Sequence, residues 1–292
     1  MDAKIKDAII SLLKARRFRN WCLIILASVV AYITGKRILK YYGVRPSKKD
    51  KRDYGISMSE NPMKLQDSFS LSFPVLKNQQ TVSSCVAHSL SYVSEYLIPK
   101  TGNYNLDRVS VGWIYGYRPE GYYKGEGMFP RQAMSTLQKK GVLRHRDFPY
   151  NEEVPEIINR VNGSLPELLK KAEPNKIPVF FQLKNNDEIK QCLTKYGPVT
   201  IMYPVYDSFN TPNDDKIESV KGKFYGYHQV TLYGWTGNYW VMVNSWGDNW
   251  DEDGIAKISM SYPWQEAWGL SNDPSAAIVP QKKTSFIKCL FG

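Results

Sequence analysis

Tyr227-His228-Gln229-Val230-Thr231-Leu232-Tyr233-Gly234, then Trp235-Thr236-Gly237-Asn238, then Tyr239-Trp240-Val241-Met242-Val243-Asn244, is the stretch on which the reading of this chain turns. Two runs rich in β-branched and aromatic residues flank a glycine-containing turn, the pattern of a β-hairpin. Cross-strand partners in a symmetric hairpin share a constant index sum. His228 and Asn244 centre on residue 236, inside the turn. The register therefore predicts them opposite each other on one face, with Cβ atoms ~4.5–5.5 Å apart. An asparagine there accepts a hydrogen bond from the imidazole and holds its tautomer, the task of the third member of a Cys-His-Asn arrangement. A bulge would shift this pairing, and an ordinary polar hairpin face is the alternative. Trp246 and Trp250 follow closely. An indole laid over the His–Asn hydrogen bond would exclude water and strengthen it; core packing is the other reading of either tryptophan.

Working outward, the nucleophile that such a pair would serve is sought among four cysteines, Cys22, Cys85, Cys192 and Cys289. Cys85 lies in Asn78-Gln79-Gln80-Thr81-Val82-Ser83-Ser84-Cys85-Val86-Ala87-His88-Ser89. Ser83 or Ser84 can cap a helix starting near Cys85, with Val86, Leu90, Val93 and Leu97 as its buried stripe. The sulfur then sits in the first turn, where the helix dipole favours a thiolate. A buried structural cysteine is the competing reading. His88, on the same helix, is badly placed to align with the sulfur and an incoming carbonyl, and reads as structural. The cysteine spacings fit neither a disulfide framework nor a metal knuckle, and the three histidines, His88, His145 and His228, are too scattered for a zinc site. No metal or organic cofactor is expected.

Helical patterns come first, over 84–98, 130–140 and 155–172; strand patterns follow, around 198–206, 229–233, 239–243 and 255–260. That order predicts an α+β protein of two packed subdomains with a site in the cleft between them. The aromatic content, 20 Tyr, 8 Trp and 11 Phe, argues for a folded chain. The formal charge is +11, and residues 1–52 hold 14 Lys/Arg against 3 Asp, which leaves the remainder neutral. This excess surrounds an apolar stretch, so it points to a membrane rather than to nucleic acid. Residues 1–20 read as a basic amphipathic helix and 21–40 as a single-pass transmembrane anchor. A cleaved signal peptide is the rival, and basic flanks on both sides leave the sidedness open. Residues 41–61 read as a polar tether, 62–282 as the globular domain, and 283–292 as a basic, apolar tail. The oligomeric state is not legible.

These residues together resemble the papain-like cysteine peptidases, in the variant branch of microbes and viruses. The resemblance is carried by Gln79 six residues before Cys85, by His228 143 residues after Cys85, and by Asn244-Ser245-Trp246-Gly247. Gly141-Val142, Phe148-Pro149-Tyr150, Gly197-Pro198-Val199 and Gly254-Ile255 with Tyr262 add to it. It implies a helical left half and an antiparallel β-barrel-like right half. It also implies a protein or peptide substrate cut by Cys85 as nucleophile, with His228 as base and Asn244 as orienter. Gln79 and the Cys85 N–H would form the oxyanion hole. Gly127 would hydrogen-bond the substrate backbone, Met128 would stand at the peptide-binding edge, and Val199 and Tyr227 would wall the main side-chain pocket, with Trp246 beside it. Several positions depart from the family pattern: Val82 replaces a disulfide cysteine, Val86 replaces Trp or Thr, and Met128 stands where a second glycine is common. Residues 36–62 are too short for the family's helical inhibitory propeptide. A catalytically inactive peptide-binding module and a thiol acyltransferase using the same residues are the rival functions.

Overall fold

The computed structural model describes residues 43–51, 53–56, 65–98, 108–116, 118, 127–149, 165–212, 215–251 and 253–277. The amphipathic helix, the anchor, the C-terminal tail and the first part of the 155–172 helix lie outside these residues. Among the described residues, no helix is long and apolar enough to cross a membrane.

Helix α1, Cys85–Leu97, runs through the first half of the chain and is buried from Cys85 to Ser94. Its N-cap is Ser84, but no serine side chain caps it; the Ser84 hydroxyl lies 3.2 Å from His88 Nδ1 instead. Around it pack α2, Val111–Gly116, and α3, Pro130–Lys140. Helix α3 begins on Pro130, whose fixed φ suits the first turn, and stops at Gly141, whose φ of 77° ends the helix. Helix α4, Leu165–Ala172, completes this lobe.

The second lobe is a sheet, built from β1 (Ser68–Ser70), β2 (Val179–Leu183), β3 (Val199–Tyr206), β4 (Lys216–Ile217), β5 (Phe224–Thr236), β6 (Tyr239–Val243), β7 (Ile255–Ser259) and β8 (Glu266–Ser271). Its order is β2-β8-β3-β5-β6-β7-β4, with β1 on the far part of β5, and only the β4–β7 pair is parallel. Helix α5, Asn186–Lys195, covers one face. Its N-cap is Asn185, whose side chain accepts from Glu188 N, with Asp187 and Glu188 in the first turn to favour the dipole. Strands β2 and β8 and helix α5 had no counterpart in the sequence reading.

Strand alternation gives the sheet two different faces. Ile201, Tyr203, Val199, Phe181 and Leu232 enter the sheet's own core, whereas Met202 and Trp268 join the core of the helical lobe. A polar seam joins the lobes. The Ser89 hydroxyl meets Thr200 Oγ1 at 2.7 Å, Thr231 Oγ1 at 2.8 Å and the Val230 carbonyl at 2.8 Å. Each buried hydroxyl is thereby satisfied, as burial demands.

Candidate active site

The hairpin forms as expected, but its register differs. Near the turn, partners sum to 475 (Trp235↔Trp240); beyond Tyr233 they sum to 474 (Thr231↔Val243). One irregularity at Tyr233 causes the change. Asn244 is thus a diagonal rather than a direct partner of His228, displaced by two residues. Two residues of slip leave both side chains on the same face, so the contact survives. His228 Nε2 lies 2.7 Å from Asn244 Oδ1. That oxygen also accepts from Ser245 N at 2.8 Å, which fixes the amide orientation, so the imidazole donates through Nε2–H and Nδ1 is the basic nitrogen. Trp246 stacks on the imidazole at 4.6 Å between centroids, and Phe209 meets the histidine edge-on at 6.2 Å. Both His228 and Asn244 are buried.

Cys85 is the first residue of α1 and is buried. Burial pushes its thiol up to about 11, partly opposed by main-chain hydrogen bonds from Gln229, Val86 and Val44. The Gln229 amide follows His228 directly, so the sulfur sits beside the peptide that carries the imidazole. His88 is structural: burial pushes it down to about 3, and its Nδ1 lies 3.0 Å from the Ser84 carbonyl. Gln79 is pinned from both sides. Its Oε1 accepts from the Ser245 hydroxyl at 2.6 Å, its Nε2 donates to the Val82 carbonyl at 2.9 Å, and its N–H donates to the Ser245 carbonyl at 2.7 Å. The structure therefore brings Gln79, Cys85, His228, Asn244 and Trp246 to one end of the interlobe cleft.

The segment read as a polar tether is not free. Residues 43–51 and 53–56 dock along the cleft. A Cβ on Gly43 would lie 2.4 Å from Ser83 Cβ and 2.9 Å from Gly127 Cα, so only a glycine passes between these walls. Val44 is 3% exposed and belongs to one apolar cluster with Cys85, Met128, Met202 and Trp268, against which Tyr227 packs. It pairs with Met128 as a parallel bridge, Met128 N donating to Gly43 O at 3.2 Å and Arg45 N to Met128 O at 3.4 Å. Further along, Ser47 N donates to Glu266 Oε1, Arg131 ion-pairs with Asp50 and Asp53, and Gln182 N donates to Tyr54 O at 2.8 Å. Val44 and Ile56 are buried and Ser47, Asp50 and Asp53 partly so, while Arg45, Lys48, Lys49 and Lys51 stay exposed.

Two assignments change. Gly127 borders Gly43 through its Cα, but its N–H donates to the Tyr115 hydroxyl at 3.0 Å and its carbonyl accepts from Arg118. The neighbouring Met128 makes the main-chain pairing instead. Val199 is not a pocket wall, because it points with Ile201 and Tyr203 into the sheet's own core. Met202, an odd number of residues along the same strand, lies on the opposite face, in the cluster that holds Cys85 and Val44. The docked segment, Arg131 and Glu266 carried no recognisable signal in the sequence.

A family model described as papain family cysteine protease matches residues 68–278. The chain is 27% identical to a gut-specific cysteine proteinase of Caenorhabditis elegans over 154 residues, 46% of this chain and 47% of that protein. It is 37% identical over 79 residues to a cathepsin B-like cysteine proteinase of the same nematode, 26% of this chain and 21% of the relative. The chain thus spans about half or less of the curated relatives it matches. Among solved structures, xylellain, a cysteine protease from Xylella fastidiosa, superposes with a TM-score of 0.65 at 23% identity, covering 80% of this chain and 97% of that one. A procathepsin B of Trypanosoma congolense gives 0.62 at 18% identity, covering 81% and 87%. At these identities the structures speak for the fold, which is the papain-like α+β arrangement. With the family model covering most of its length, the chain belongs to the papain family of cysteine proteases.

Proposed function

We propose that this chain is a thiol endopeptidase acting on protein or peptide substrates, tethered to a membrane through residues 21–40 and latent while residues 43–56 lie in its cleft. The observation that carries the catalytic reading is the 2.7 Å His228–Asn244 hydrogen bond beneath Trp246, beside a cysteine at a helix N-terminus. In the open cleft, His228 Nδ1 takes the Cys85 proton, and the thiolate attacks the scissile carbonyl carbon. The oxyanion forms near the Cys85 N–H and the Gln79 amide. His228 then returns the proton to the leaving amine, and the C–N bond breaks. Water, deprotonated by the same imidazole, attacks the thioester and releases the acid. Asn244 keeps Nε2 protonated throughout, so the basic nitrogen stays Nδ1.

Latency follows from two features of the docked state. The Val44 main chain fills the place of a substrate beside the sulfur, and burial keeps the thiol protonated at neutral pH. The membrane tether is supported by the apolar run Trp21–Gly35 and its basic flanks.

The test is covalent labelling of the full chain by a peptidyl epoxide, read by intact mass. Labelling at Cys85 that disappears in Cys85→Ala and in His228→Ala supports the reading. A folded protein that never labels between pH 5 and 8, or that labels as fast without His228, refutes it. For the tether, full chain that floats with vesicles and resists alkaline carbonate extraction agrees with an integral anchor; extraction into the supernatant does not.

A further inference from the structure

A cavity of about 360 Å³ lies at the other end of α1 from Cys85. Tyr92, Glu95 and Tyr96 carry the last turns of the helix to it. At 1.5 Å per residue, Glu95 stands roughly 15 Å along the axis from the nucleophile. The volume falls within the ~300–1,000 Å³ of small-ligand sites. None of Gln79, Cys85, His228 and Asn244 lines it.

Two kinds of surface meet there. The rings of Phe69, Tyr92 and Tyr233, with Val75, make an apolar wall, and Tyr96, 48% exposed, stands at the rim. The wall is well anchored. Phe69 stacks on Trp235 at 5.1 Å between centroids, and the Tyr92 hydroxyl accepts from Lys77 N at 2.7 Å. Tyr92 also donates to the Asn244 carbonyl at 3.4 Å, and Tyr233 is the irregular residue of the hairpin, so the cavity backs onto the elements that hold the histidine.

Against the rings stand three charged side chains, Glu95, Arg108 and Arg144. An antiparallel bridge between Val109 and Arg144, with His145 N donating to the Arg108 carbonyl at 2.6 Å, brings the two arginines to one edge. Glu95 is already answered: one of its oxygens takes the Lys77 ammonium at 2.6 Å and Val109 N at 2.8 Å. Arg108 differs. Its Nε is buried, and among the described residues no group accepts from it. A guanidinium stays charged, and a buried charged donor is costly until an acceptor serves it. A carboxylate matches its fork, and an aromatic body matches the ring wall.

We infer that this cavity binds a small aryl carboxylate, its ring against Phe69, Tyr92 and Tyr233 and its carboxylate on Arg108. Such a site exists whether or not Cys85 is catalytic.

The experiment titrates the full chain with phenylpropionate, phenylpropanol and phenylpropylamine, which share one body and differ in the terminal group, by ligand-detected NMR. The acid should bind at least tenfold more tightly than the alcohol or the amine. Arg108→Gln should weaken the acid ten- to hundredfold, as for loss of hydrogen bonds to a charged group, and leave the alcohol unchanged. Val75→Trp, which places an indole in the cavity, should weaken all three. Melting temperatures equal to that of the unaltered chain certify the fold of each variant. The comparison of the three ligands on the unaltered chain decides the matter even where a variant does not fold. An acid that does not bind, that binds no better than the alcohol, or that keeps its affinity in a folded Arg108→Gln or Val75→Trp protein overturns the inference.

Discussion

Replacing Val44 by alanine should activate the protein, although Val44 lies far outside any catalytic motif. Its side chain is almost wholly buried in the cleft, at 3% exposure. Alanine removes two carbon groups from that pocket, at ~0.8 kcal/mol each, so docking weakens by about 1.6 kcal/mol. With ~1.4 kcal/mol per tenfold, the population with an open cleft rises roughly fifteenfold. If labelling proceeds only from open molecules, the epoxide rate rises by the same factor. The assay is the second-order rate of Cys85 modification by intact mass, on full chain and Val44→Ala side by side, with thermal melts of each. The remaining contacts of the segment, to Glu266, Arg131 and Gln182, sit beyond the substituted position, so a modest fall in melting temperature is expected rather than loss of the fold. A rate unchanged within twofold would refute the claim that residues 43–56 gate the sulfur. So would a rise shared by a soluble protein whose melting transition has vanished, since unfolding would then explain it.

Gly43→Ala should act in the same direction and more strongly, because the new Cβ meets Ser83 Cβ and Gly127 Cα below van der Waals distance; the same labelling assay checks it, and a slower rate would argue against a tight passage. Asn244→Ala removes the acceptor from the 2.7 Å bond to His228, and should lower the Cys85 labelling rate ~10–100-fold with little change in probe affinity. A loss of affinity alone would point to a packing role. The pH dependence has a definite sign. Burial raises the Cys85 thiol to about 11 in the docked state, whereas an open thiolate beside His228 has a lower pKa. The proton therefore favours the docked state below the open value, and this advantage is lost as pH rises toward 11. Iodoacetamide alkylation of Cys85 in the full chain should climb steadily from neutral pH toward that value, and Val44→Ala should move the climb to lower pH; identical profiles would contradict the linkage.

Much of the site was legible because its parts are local. The His228–Asn244 pair lies within one hairpin, and a register error of two residues conserves the face, so the contact forms despite a bulge of the kind the sequence reading named as its threat. The Cys85 helix was legible from its apolar spacing. Val199 was misassigned because every residue of β3 but the last is buried, and a strand covered on both faces carries no alternation to say which side is which. Strand β8 was missed for the same reason, since all six of its residues are buried.

The docked segment is the larger lesson. Its half-buried residues include Ser47, Asp50 and Asp53, and its exposed ones are Arg45, Pro46, Lys48, Lys49 and Lys51, so it has the composition of a solvated linker. Its contacts reach Met128, Glu266, Arg131 and Gln182, residues that are brought together only when both lobes are folded. By itself the sequence named the candidate groups, because Gln79 and Cys85, and His228 and Asn244, each stand in a short stretch whose residue types and spacing can be read locally. Whether that chemistry is exposed was decided by tertiary structure alone. Occlusion is a contact between distant segments, and it leaves no period in the chain that makes it.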